Sequence, residues 1–169
     1  MIVRAATSDD VDAICAVCAV GYRDSTTGLL PAGYIERTVA DFYQPDRVRD
    51  EIYPNPPGWL GYQVVEEDGR VLGAAGGGMT GHSSSGLYVI CVDPAERYRG
   101  LGTRLLDRVI DQVRELGATE MLMSVIIGNG KAIPFYESRG FTKVEKQRAW
   151  GSHDGDDVWT WRMRRVLAG

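Results

Sequence analysis

The chain has little of what metal and redox sites are made from. Among 169 residues there are two histidines, His82 and His153, and three cysteines, Cys15, Cys18 and Cys91. Cys15 and Cys18 form a CxxC pair, a spacing that zinc and dithiol sites share. No second CxxC follows, and each cysteine sits inside an apolar run. The pair is therefore expected mid-helix and structural, with no metal bound. So few cysteines, in odd number, fit a reducing compartment, and a cytoplasmic location is expected. The first ten residues, "MIVRAATSDD", hold no apolar run of signal-peptide length, and no window approaches a membrane span, so no membrane partner is expected. Positive charge is not in excess either. Nineteen Lys and Arg stand against 23 Asp and Glu, a net charge of -4. That weighs against a nucleic-acid partner and favours a neutral or cationic small substrate. Repeats, low-complexity tracts and linkers are also missing, so residues 1–169 are expected to form a single domain.

What is present has the composition of a globular protein, 44% hydrophobic and 25% charged. At this length a core needs no cross-links. "IVRAAT" reads as a first strand. Ser8, followed by Asp9 and Asp10, reads as the N-cap of a helix running to about Arg23. "DSTTGLLPAG" reads as a polar loop, and Pro31 opens a second helical region that Pro45 interrupts. "YPNPPG" stops it. From Trp59 the period changes to that of two strands joined at Asp68-Gly69, a strong hairpin signal. "SSSG" separates them from a short apolar strand, "LYVICV". Next comes an amphipathic helix with Leu101, Leu105, Leu106, Val109, Ile110, Val113 and Leu116 on one face and Gly117 as its stop. "TEMLMSVI" is a buried strand. "GNGKAIPFYESRGF" is a loop, a short helix and a glycine cap. The rest is a strand, an acidic turn and a strand. This order predicts an α/β protein with one central mixed sheet and helices on both faces.

The stretch "DPAERYRGLGTRLLDR" (residues 93–108) combines Arg97, Arg99, Gly100 and Gly102 just before the amphipathic helix. Free amides at a helix start, with the helix dipole behind them, bind anions. Glycine lets a phosphate approach the backbone. A P-loop is excluded because Thr103, not lysine, follows Gly102. A dinucleotide fingerprint is excluded because Leu105 stands where its third glycine belongs, and because the stretch lies late in the chain. Arg97-Tyr98-Arg99-Gly100-Leu101-Gly102 resembles instead the Arg/Gln-x-x-Gly-x-Gly/Ala motif of the GNAT superfamily of acyl-CoA-dependent N-acyltransferases. Val92-Asp93-Pro94 before it and Leu105-Leu106 after it resemble the family's flanking pattern. In "NGKAIPFYESRGF", Asn129, Ala132, Phe135, Tyr136, Gly140 and Phe141 stand where the family's second motif has them. The close resemblance covers about residues 87–144.

The resemblance implies a GNAT fold: a mostly antiparallel sheet of about seven strands, splayed between the fourth and fifth, with acetyl-CoA in the gap. It implies that Ile90, Cys91 and Val92 pair with the pantetheine arm as an added strand would. Arg97, Tyr98, Arg99, Gly100, Leu101, Gly102 and Thr103 would seat the pyrophosphate, and Asn129 would bond the pantetheine. An amide near Ile90 to Val92 would polarise the acetyl carbonyl, and Tyr136 would protonate the departing thiolate. Read without the resemblance, Tyr136 is a core aromatic and Asn129 a helix cap. The resemblance leaves the general base unassigned, because "HSSSGLYV" holds no glutamate where some members place one. His82, Tyr88, Glu36, Glu66 and Glu67 are candidates, and a water chain is the alternative.

For the acceptor, the resemblance points to residues 22–34 and 149–159. The second segment carries Asp154, Asp156 and Asp157 beside Trp150, Trp159 and Trp161, a set suited to a cationic amine or to an ordinary acidic turn. Arg162, Arg164 and Arg165 read as a solvated edge. The expected activity is N-acetyl transfer from acetyl-CoA to a small primary amine. The alternatives are acetylation of a protein N-terminus or lysine, and a non-catalytic acyl-CoA-binding module. A homodimer is expected from the family alone.

Overall fold

The computed structural model describes residues 1–149, 152–153 and 155–167. Strand β1 (Ile2–Ala5) leads through a 3-10 turn (Ser8–Asp10) into α1 (Val11–Thr26). Asp10, not Ser8, ties this start together. Its carboxylate accepts the Thr7 amide at 2.8 Å and grips the Arg4 guanidinium at 2.8 and 2.9 Å. Helix α1 runs three residues beyond Arg23. The hydroxyls of Ser25, Thr26 and Thr27 donate to the carbonyls of Tyr22 and Arg23 and satisfy the end of the helix from within. Helices α2 (Ala32–Phe42) and α3 (Pro45–Asp50) follow. Then come β2 (Gln63–Glu67), β3 (Arg70–Met79), β4 (Ser84–Val92), α4 (Leu101–Glu115), β5 (Glu120–Ile126), α5 (Ala132–Ser138), β6 (Thr142–Arg148) and β7 (Trp159–Val166).

The seven strands form one sheet in the order β1-β2-β3-β4-β5-β7-β6. Neighbours are antiparallel except β4 and β5. Those two share three rungs, Ser84 with Glu120, Ser85 with Met121 and Gly86 with Leu122, and then part. The expected splay is there. The "SSSG" segment is not a separator, however. Ser84, Ser85 and Gly86 belong to β4 and supply its pairing with β5, with the Ser85 hydroxyl donating to Glu120 O at 2.7 Å.

Helices cover both faces. Leu105, Leu106, Val109 and Val113 of α4 are fully buried against Met121 and Met163. Each such side chain contributes about 1.5–3 kcal/mol by leaving water. On the other face Ile14 and Cys18 of α1 pack with Val48, Val64 and Ala74. Leu116 does not join the α4 stripe. It lies past the helix end, 46% exposed, while Ala118 turns inward and donates to Val113 O at 3.0 Å.

The run Gly76-Gly77-Gly78 in β3 has a packing cause. The Trp59 indole lies on Gly76 and the Gly58 carbonyl on Gly78. A Cβ on Gly77 would overlap Gly86 O and stand 2.9 Å from Val109 Cγ1. Overpacking of this kind costs about 1–3 kcal/mol. Gly77→Ala is expected to lower the free energy of unfolding by that amount, read as a lower urea midpoint at unchanged slope.

Candidate functional site

The site is built around the parting of β4 and β5. Pairing with β3 shifts between Gly76 and Gly77: Gly76 faces Val89, Gly77 faces Leu87, and Tyr88 is left over as a bulge. Beyond it, the Asp93 amide donates to Leu72 O at 2.9 Å. Hydrogen-bonding direction alternates along a strand. The Cys91 backbone, in register with Ala74, therefore also faces β3, and the backbones of Ile90 and Val92 face the gap. Of the three residues expected to hold an extended ligand, two present their backbone to it and Cys91 does not.

After β4 the Asp93 carboxylate caps a short turn by accepting the Ala95 amide at 2.9 Å. The chain then passes through Tyr98 at φ 64° and Gly100 at φ 77° into α4. The first helical bond of α4 runs from the Arg104 amide to Gly100 O at 3.1 Å. The amides of Leu101, Gly102 and Thr103 therefore have no carbonyl within the helix to bond. Gly100 has open space where a side chain would project. Gly102 lies against the Phe135 ring, which a Cβ at this position would meet at 3.3 Å, and this contact joins the start of α4 to α5. Free amides at a helix start, with glycine beside them, are the kind of arrangement that takes an anion.

The arginines of the motif are already engaged. Arg99 pairs with Glu96 and Glu67, each at 2.6 Å. Arg97 pairs with Asp24 of α1, and Lys131 of the β5–α5 loop reaches the same carboxylate at 3.2 Å. Asp24 thus bridges the two sides of the mouth. Arg97, with Lys131 adding to it, holds the Asp24 carboxyl below the usual carboxylate range.

Tyr136 is buried on the α4 side, edge-on to Phe141 at 5.8 Å and tilted on Phe135 at 5.3 Å. Burial raises its phenol well above the ordinary value, and the Cys91 thiol adds to the rise. It therefore stays protonated throughout the neutral range. Asn129 is buried as well, and its Oδ1 accepts the amides of Ala132 at 3.0 Å and Lys131 at 3.3 Å. That is the capping role, and it uses the oxygen while leaving the amide nitrogen as a donor.

Among the candidate bases, the three glutamates are drawn into ion pairs: Glu36 with Arg23, Glu66 with Arg4, Glu67 with Arg99. His82 lies in the turn before β4, and Tyr88 alone is on a strand lining the gap. Burial raises the Tyr88 phenol, which makes it a poor base near neutrality. The acidic hairpin is likewise in structural use. Asp156 accepts from Arg37 of α2 at 2.5 Å and from the His153 amide at 2.7 Å, and Asp157 accepts from Trp159 Nε1 at 2.8 Å. Lys143 and Lys146 lie over the Trp161 ring. Trp150 and Asp154 lie outside the described residues. A cavity of about 530 Å³ separates the α1–α2 loop from β5 and β7, lined by Leu29, Leu30, Ile126, Val158 and Trp159. Among the described residues no helix is long and apolar enough to cross a membrane.

Two features escaped the sequence reading. Asp24 left no local signal. The bulge puts Tyr88 and Val89 on the same α1-side face, but a strand apolar on both faces has no polar alternation in which that break would show.

The comparisons with known proteins agree with this geometry. A coenzyme A complex of PaiA N-acetyltransferase from Thermoplasma acidophilum superposes with a TM-score of 0.82 over 98% of both chains at 17% identity, a likeness of fold. The ribosomal-protein-S18-alanine N-acetyltransferase from Escherichia coli gives 0.68 over 99% of this chain and 96% of that one at 20% identity. A [ribosomal protein bS18]-alanine N-acetyltransferase of Salmonella typhimurium is 39% identical over 62 residues, 37% of this chain and 42% of that protein. An L-methionine sulfoximine/L-methionine sulfone acetyltransferase of the same organism is 36% identical over 89 residues, 49% and 52%. The chain thus spans about half the length, or less, of these curated relatives. The model of the Acetyltransferase (GNAT) family matches residues 28–141, two thirds of the chain, and the protein belongs to that family.

Proposed function

We propose that this chain, acting as one domain in the cytoplasm, is an acetyl-CoA-dependent N-acetyltransferase for a small primary amine. The observation that carries this reading is the gap itself. The backbones of Ile90 and Val92 line it, and the amides of Leu101, Gly102 and Thr103, which have no carbonyl of their own helix to bond, close its mouth. An extended amide chain ending in a pyrophosphate fits those donors. Bound there, acetyl-CoA supplies an activated thioester. Ile90 and Val92 pair with its pantetheine arm, the Asn129 amide nitrogen adds a bond, and a gap-facing β4 amide beyond the bulge polarises the acetyl carbonyl. Tyr136 holds the proton that the leaving thiolate needs. A small acceptor is favoured over a protein one because the Arg37–Asp156 pair ties α2 to the β6–β7 hairpin across the acceptor side.

Acetyl-CoA is expected to raise the melting temperature, by the equivalent of about 2.7 kcal/mol at a hundred times its dissociation constant. Thermal shift checks this, and no shift at saturation sinks the assignment.

A further inference from the structure

Past their last shared rung, Gly86 with Leu122, β4 and β5 separate. Two residues further on, β4 carries Tyr88 and β5 carries Ser124. Met121, Met123 and Val125 belong to the α4-side core, so Ser124 faces the α1 side. The Tyr88 ring stacks on Trp59, which packs into the α1-side core. Tyr88 and Ser124 therefore flank the apex of the gap on one face. In β7, Arg162 stands directly opposite Ser124, on that same face and about 5 Å away. Glu145 of β6 stands opposite Arg162. A row thus runs across the sheet: Tyr88, the apex, Ser124, Arg162, Glu145.

Arg162 is the underused cation of that row. Among the described residues its one ion pair is with Glu145 at 3.7 Å, too long for a hydrogen bond. Both side chains are about half exposed, so water screens the pair. Its neighbour Arg164, by contrast, bonds Glu120 at 3.0 Å. The Ser124 hydroxyl accepts from Gln147 Nε2 at 3.0 Å, which leaves its own proton to donate. A forked cation and a hydroxyl donor beside the apex form a receptor for an oxyanion next to the reacting amine. The aromatic pair Trp59 and Tyr88 walls the other side.

We propose that Arg162 binds the acceptor and that the acceptor is an α-amino acid or close analogue, its carboxylate on Arg162 and Ser124 and its amine at the apex. This rests on the acetyltransferase reading. The amine nitrogen bonds the acetyl carbon as the C–S bond breaks. The nitrogen loses its proton to water, and the thiolate takes the Tyr136 proton, which solvent restores.

The test measures CoA release with neutral L-amino acids, their carboxamides and the matching amines without the carboxyl group. The carboxylate acceptors are expected to show kcat/KM about 10- to 100-fold higher. Arg162→Ala should raise KM for them by a similar factor with kcat little changed, and move the carboxamides much less. Arg162→Lys should recover part of the loss. Equal rates for acids and carboxamides overturn the inference, as does an equal loss on every acceptor or turnover confined to peptides or polyamines. A wild-type protein that shows no thermal shift with acetyl-CoA fails the acetyltransferase reading. A shift without acetylation of any amino acid fails this inference alone.

Discussion

Gly100→Glu is expected to abolish stabilisation by acetyl-CoA while leaving the fold intact. Gly100 sits at φ 77°, and the space around its missing side chain is empty. A residue with a Cβ there pays left-handed strain of about 1–2 kcal/mol and meets no clash. The larger effect is charge. A carboxylate at this position faces the amides of Leu101, Gly102 and Thr103 and repels a pyrophosphate. Two unit charges 4 Å apart near a protein surface interact by about 4 kcal/mol. Affinity should therefore fall by 100-fold or more, read as loss of the thermal shift. Gly100→Ala separates the two causes, since it carries the strain without the charge and should keep most of the shift. If Gly100→Glu binds as the wild type does, the phosphates lie elsewhere.

Tyr136→Phe is expected to lower kcat by about 100-fold or more and to leave the acetyl-CoA thermal shift in place. The substitution removes one oxygen from a ring already packed between Phe135 and Phe141, so folding should not suffer. On the proposed binding mode, affinity comes from the backbone donors of β4 and α4, which the change does not touch. Single-turnover acetyl transfer with an excess of enzyme separates chemistry from product release. Turnover equal to wild type would exclude Tyr136 as the acid.

The local frame of this region was legible because its parts lie close in the chain. The glycine-led start of α4, most of its amphipathic stripe and the cap of α5 each lie within a few residues of their partners. Asn129 shows the limit of such reading. Capping and ligand binding looked like rivals in the sequence, yet the structure commits only its oxygen to the cap. Long-range features were not legible. Asp24 meets Arg97 across 73 positions, and a charge on the exposed end of a helix looks the same whether or not it finds a partner. Ser84 to Gly86 misled for a different reason. Small polar residues favour turns, but here the serines and the glycine are the residues through which β4 and β5 pair before they part. Arg162 passed for surface because its meaning depends on its row, which only the register of three strands establishes.

The Asp24 bridge changes what an affinity measurement on this protein would report. The mouth of the gap is not an array of waiting cations, since Arg97 and Lys131 already hold an anion of the protein's own. A phosphate that engages them displaces a carboxylate instead of displacing water and dissolved ions. The gain is then the difference between two sets of ion pairs. Added salt weakens both sets together, so binding should depend on ionic strength less steeply than a count of the nearby arginines and lysine suggests.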